Sequence, residues 1–237
     1  MEKSDFLAAV RLLADADPGL GAILAAHGPP PFWIRPPGFA TLVHIILEQQ
    51  VSIASALAAL NKLKRRMGAV TPEGFLTLDD EQLRADGFSR QKTRYCRIAA
   101  EAVLGGRLDL EGLAALDDEA ARTHLTALTG IGPWTADVYL QMALRRPDIW
   151  PVGDLALQAA VQGLYGLEAR PKAGEMAGYG ERWRPHRSAA AMILWHGYLE
   201  GVGRLPLRGS GTSPAPTDRP PGTLPDPQTN PSTRSWS

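Results

Sequence analysis

The stretch "LTALTGIGPWTADVYLQMAL", Leu125 to Leu144, decides how the rest of the chain is read. Its first part has a helical composition and stops at Gly130, a residue free to take the left-handed backbone that closes a helix. Ile131 is the one side chain of the turn that favours burial, so it pins the segment before the turn to the segment after it. Gly132 leaves room for another backbone to approach, and Pro133 suits the first position of a new helix, where its missing N–H costs nothing. The result is two helices joined by a tight corner. The amides that open the second helix have no partner within it and lie at the positive end of its dipole, where an anion is favoured. An ordinary helix corner is built the same way, so a G-x-G pair alone does not distinguish a structural turn from a phosphate grip.

On either side of this corner, the chain reads as helices separated by Gly, Pro and Asp. From Phe39, apolar residues recur at Leu42, Val43, Ile46, Ile53, Leu57 and Leu60, a spacing of threes and fours that predicts one helical stripe. Gln50 falls in a gap of that stripe and is either hydrogen-bonded within the fold or left for a ligand. "SRQKTRYCRIAAEAVL" (89–104), capped by Ser89, "DDEAARTHLTALTG" (117–130) and "RSAAAMILWHGYL" (187–199) supply further helices. Period-two alternation is nearly missing, and no repeat of roughly 20 to 50 residues appears. The expected fold class is all-α. From Pro206 onward, 21 of the 32 residues are Pro, Gly, Ser or Thr, which predicts a disordered tail over 206–237.

A chain of 237 residues with 44% apolar content can bury one sizeable core, or two small ones sharing a cleft. Its 25 basic and 25 acidic residues give no overall basic signature for nucleic acid. A helix N-terminus holds a phosphate without any lysine, so DNA stays possible. The single Cys96 excludes an internal disulfide, a multi-cysteine zinc site and a four-cysteine iron–sulfur cluster built from this chain. No apolar run approaches the roughly 20 residues of a membrane span, and the start carries acids where a signal peptide would be basic. These features predict a soluble, cytoplasmic protein with no membrane partner.

After Trp150, Pro151 and Gly153 comes Asp154, then the helical run "LALQAAVQGLYG". An aspartate there is a good N-cap, worth about 1 kcal/mol. It is also a fixed carboxylate at the positive end of a dipole, and the two roles are compatible. Asp137, inside the second helix of the corner, is the competing carboxylate and reads as a solvated helix residue. His44 and His186 lack partners at metal-ligand spacing and read as structural or surface residues.

Five motifs in order carry a family resemblance: "EQQVS" (48–52), "GFSRQK" (87–92), the Gly130 corner, "PVGDLALQ" (151–158) and "ERWRPHRSAAA" (181–191). Over about residues 36–199 the chain resembles the HhH-GPD superfamily of DNA glycosylases, especially the DNA-3-methyladenine glycosylase II branch. The resemblance implies a helix-hairpin-helix glycosylase fold with two helical subdomains flanking a cleft. One subdomain is 38–146, with the hairpin; the other is 1–37 with 147–205, carrying the catalytic aspartate. With about 37 residues before Gly38, an N-terminal β domain is not expected.

Residue by residue, the resemblance makes Asp154 catalytic and puts Trp134, Trp183 and Gln50 at the base pocket. Gly130, Ile131, Gly132 and Thr135 would contact a DNA phosphate, and Gln49 would face the DNA. The carbonyls of Thr126, Leu128 and Gly130 would hold a monovalent cation; no other cofactor is required. Arg90 stands at the wedge position, with Phe88 the more apolar insert. Trp195 is assigned to the core, and Val138 and Leu155 replace pocket tyrosines of relatives. Arg187 either seats Asp154 or a phosphate, or makes an ordinary salt bridge. Relatives with lyase activity carry a lysine where this chain has Trp134, and without an amine no Schiff base forms. The implied function is that of a monomeric, monofunctional glycosylase excising alkylated bases such as 3-methyladenine and 7-methylguanine from double-stranded DNA. The alternatives are a same-fold enzyme for deaminated or oxidised bases, a noncatalytic hairpin DNA-binding protein, and a helical protein-interaction domain.

Overall fold

The computed structural model describes residues 1–201, and the expected tail at 206–237 lies outside them. Among the described residues there are α-helices, one short 3-10 turn and no strand. In chain order the helices are α1 (Lys3–Ala16), α2 (Pro18–His27), α3 (Phe39–Glu48), α4 (Ile53–Met67), α5 (Pro72–Leu76), α6 (Asp80–Ala85) and α7 (Arg90–Leu104). There follow α8 (Asp118–Thr126), α9 (Pro133–Met142), α10 (Leu155–Tyr165), α11 (Ala173–Glu181) and α12 (Arg187–Leu199). No helix among them is long and apolar enough to cross a membrane.

Caps set most of the boundaries. Asp17, Ser52, Thr71, Asp79, Ser89, Asp117 and Asp154 each accept a backbone N–H from the first turn of the helix they precede. Pro18, Pro72 and Pro133 occupy first helical positions.

The helices bury two apolar cores. The first runs from Phe39 to Ile149 and includes Ile131 of the corner. The second joins Phe6 to Ile23 with Trp150 to Trp195, so the two ends of the folded chain share it. Met142 packs against both.

The continuous stripe expected from Phe39 is instead two helices, α3 and α4, broken over Gln49–Ser52. Ser52 caps α4, and Gln50 takes a left-handed φ of 57°. The buried face of α4 is Ala56, Ala59, Leu60 and Leu63, while Ile53 and Leu57 are exposed. The spacing of threes and fours carried across the break because the intervening turn contains no Gly or Pro to mark it.

Candidate active site

The link between the two cores, residues 146–154, is fastened along its length. Ser188 Oγ donates to the Arg146 carbonyl at 2.7 Å and accepts from Ile149 N–H at 3.0 Å. Arg187 grips Asp148 through Nε at 2.8 Å and Nη2 at 3.1 Å. Trp150 Nε1 donates to the Met176 carbonyl at 2.7 Å, and Gln158 Nε2 donates to the Val152 carbonyl at 2.9 Å. Arg187 therefore makes the salt-bridge alternative and reaches Asp154 only through this link. Asp154 is delivered at the end of a segment with little freedom.

Its carboxylate meets three N–H donors. Oδ1 accepts from Leu157 N–H at 2.7 Å, the N-cap bond of α10, and from Trp195 Nε1 at 3.1 Å. Oδ2 accepts from Trp134 Nε1 at 2.7 Å. Charge-assisted bonds and the α10 dipole all complement negative charge here. The site lies just below the molecular surface: Asp154 is 8% exposed, between exposed Gly153 and Leu155, which is 64% exposed. Trp134 is half-buried, packed against the first core, with its Nε1 on the carboxylate.

Of the other tryptophans considered for the site, Trp183 leaves the pocket expected for it, while Trp195 stays in the core as expected and also reaches the carboxylate. Trp183 is only 1% exposed, packs edge-on against Trp150 with ring centroids 5.1 Å apart, and donates Nε1 to Asp17 at 3.0 Å. It is a core residue fastening the N-terminal segment and does not line the site. Trp195, assigned to the core, is buried in α12 yet sends its N–H to Asp154. The available signal was polar. A buried indole N–H needs an acceptor, and "AAAMILW" offers none of its own.

The corner meets the site through Trp134, the second residue of α9. Gly130 has φ of 97°, and a Cβ there would enter the Tyr95 ring, so both the backbone and a neighbour demand glycine. Gly132 is different. Its φ is −86° and an added Cβ would meet nothing within 4 Å, so its openness serves no internal contact. Among the described residues, the amides of Gly132, Trp134 and Thr135 have no acceptor. They form a bare cradle.

Other expected contacts fall elsewhere. Ile131 and Thr135 are 4% and 2% exposed as whole residues, so neither presents a side chain to a ligand. Gln49 Nε2 donates to the Gly130 carbonyl at 2.9 Å and to Thr135 Oγ1 at 3.0 Å, bracing the corner from α3. Gln50 is exposed in the turn after α3, followed by exposed Val51 and Ile53. Phe88 is 4% exposed and packs on Phe75 at 5.7 Å, so it is no insert; Arg90 is exposed. Val138 is buried. Asp137, expected to be solvated, is buried against Arg122 Nε at 2.8 Å and ties α8 to α9. Burial raises its carboxyl above the usual range, with the Arg122 hydrogen bond opposing.

At the cation site expected from the resemblance, the Leu128 carbonyl accepts from Ile131 N–H and the Gly130 carbonyl from Gln49. Each keeps a second lone pair, so a set of neutral carbonyl oxygens fits a monovalent cation chemically.

A family model described as HhH-GPD superfamily base excision DNA repair protein matches residues 43–185. The chain belongs to the HhH-GPD superfamily. DNA-3-methyladenine glycosylase 1 of Schizosaccharomyces pombe is a superfamily relative 31% identical over 161 residues, covering 66% of this chain and 71% of that one. The putative DNA-3-methyladenine glycosylase YfjP of Bacillus subtilis is 28% identical over 184 residues, covering 74% of this chain and 64% of that one. The chain thus spans somewhat under two thirds of the Bacillus relative's length. Among solved structures, the S. pombe 3-methyladenine DNA glycosylase Mag1, in complex with abasic DNA, superposes with a TM-score of 0.72 at 28% identity. That superposition covers 79% of this chain and 94% of the other. The superfamily match includes the corner and Asp154 and ends before Trp195.

Proposed function

We propose that the protein is a monofunctional DNA glycosylase that releases alkylated bases of the 3-methyladenine and 7-methylguanine type from double-stranded DNA, leaving an abasic site. The observation that carries the reading is the Asp154 carboxylate, held by three N–H groups, one of them from the first turn of the Gly130 corner. Base and sugar part when the C1′–N bond breaks and its electron pair leaves with the base. An alkylated purine is already cationic and departs as a neutral molecule, so no general acid is needed. The positive charge left on the sugar is stabilised by a fixed carboxylate near C1′, and water then adds its oxygen to C1′ and loses a proton.

The flipped base requires an aromatic wall, and Trp134, half-buried and bonded to Asp154, is the indole placed to supply one, with attraction for a cationic ring. The amides of Gly132, Trp134 and Thr135 hold the strand by a phosphate, and the carbonyls of Thr126, Leu128 and Gly130 would carry a monovalent cation that adds positive charge beside it. With Phe88 buried, the hole in the duplex is filled from exposed groups, Arg90 or the Gln50 turn with Val51 and Ile53. The lack of lyase chemistry follows from the indole of Trp134, which offers no amine to the sugar.

Asp154→Asn tests the reading. Asparagine keeps the Leu157 cap through its one acceptor oxygen but leaves Trp134 Nε1 without an acceptor, so helix content is expected to persist by circular dichroism at some cost in stability, while base release from methylated DNA falls by about a hundredfold or more. Unchanged turnover would remove the mechanism. Duplexes with single defined lesions, assayed with and without alkali, separate the alternatives: methylated purines released, uracil, hypoxanthine and 8-oxoguanine retained, and no strand nick before alkali.

A further inference from the structure

The turn between α6 and α7, next to Arg90, frames a cavity of about 360 Å³. Its rim carries Arg84 from α6 and Arg90, Arg94 and Arg97 from α7, against two carboxylates, Asp80 and Glu101. Arg97 is committed: it lies 2.6 Å from Asp80 and donates to the Leu78 carbonyl at 3.0 Å. Arg84, Arg90 and Arg94 are exposed. Residues 90, 94 and 97 lie on one face of α7, and like charges four residues apart disfavour a helix unless an anion offsets them. Apart from Arg97, none of these arginines has a carboxylate at ion-pair distance within the described residues. Thr93 lines the same cavity at 6% exposure.

We propose that this cavity receives a backbone phosphate of the same duplex that the Gly130 corner holds, giving the protein a second anchor on DNA. The inference rests on the glycosylase reading. DNA is favoured over an acidic protein segment because α7 also supports the corner. Tyr95 lies under Gly130, and Lys92 Nζ donates to the Leu47 carbonyl at the end of α3 at 2.6 Å. The cavity and the cradle are therefore fixed relative to each other by one helix, as two grips on a stiff, evenly charged polymer must be. The chain carries equal numbers of acidic and basic residues, so the arginine excess here is local and not a general basicity.

The test is Arg84→Ala with Arg94→Ala, and the matching double glutamate variant, titrated on a duplex carrying a stable abasic-site analogue at several salt concentrations. Affinity is expected to fall several-fold for alanine and further for glutamate. The slope of log affinity against log salt should shrink by about 0.9 for each phosphate that is no longer neutralised. Base release at saturating DNA should be unchanged, and both arginines are exposed, so thermal midpoints should hold. Gly132→Ala is measured in parallel. If it weakens binding while the glutamate variant changes neither affinity nor slope, the cavity proposal is overturned and the DNA reading stands. That outcome includes the case in which the arginines serve a protein partner. If neither variant changes DNA binding, both readings fall.

Discussion

At the residue scale, two buried indoles with the same chemistry do different work. Trp195 donates to Asp154 and Trp183 to Asp17, so removing each N–H has a different readout. Trp195→Phe keeps an aromatic ring in the core, though a smaller one, and deletes one donor to the carboxylate. Base release per folded molecule is expected to slow about tenfold, the rate equivalent of ~1.4 kcal/mol, beyond whatever the smaller ring costs in melting. Trp183→Phe loses the bond to Asp17 and is expected to cost about 1 kcal/mol of stability, read in a urea titration, with turnover per folded molecule unchanged. Equal effects on turnover would refute the division of roles. Sequence could not have made this division. Trp195 sits in an apolar run and Trp183 among charged residues, and which indole reaches the carboxylate depends on how α12 packs against α10, whose cap lies 41 positions before Trp195.

At the element scale, the corner between α8 and α9 was legible because its rules are local: a left-handed glycine, a proline at the first helical position and bare amides between them. The two glycines separate folding from ligand binding. Gly130→Ala must adopt φ near 97° and displace Tyr95, so it should lose about 2 kcal/mol or more and unfold at lower denaturant. Gly132→Ala meets nothing in the protein and should melt normally, within ~0.5 kcal/mol, while DNA affinity drops about tenfold. Asp154 was legible for the same local reason, as a cap before an apolar run. The break between α3 and α4 was not. Gln49, Gln50 and Val51 carry no breaker chemistry, and the turn is held by contacts far along the chain, with Gln49 fastened to Gly130 and Thr135.

At the scale of the whole molecule, the fold is two apolar cores fastened through 146–154, and stability follows the charges buried around them. His44, beside Arg35 and 3.5 Å from Glu48, is held below its ordinary value of 6.5 by burial first, then by Arg35, with Glu48 opposing and Lys64 adding. His186 is lowered as well, by burial. The unfolded chain therefore takes up protons first as the solution is acidified. The stability these groups contribute is full above about pH 6.5 and is lost as pH falls through their folded values. Melting midpoints should decline from pH 7.5 to 5.5, and His44→Gln should flatten the decline; a midpoint that rises on acidification would contradict this. Trp134 has a consequence of another kind, since it is at once part of the corner and a donor to Asp154. One rivet thus joins grip to aim: any shift in how a strand is seated is transmitted to the counter-charge that must sit beside its sugar.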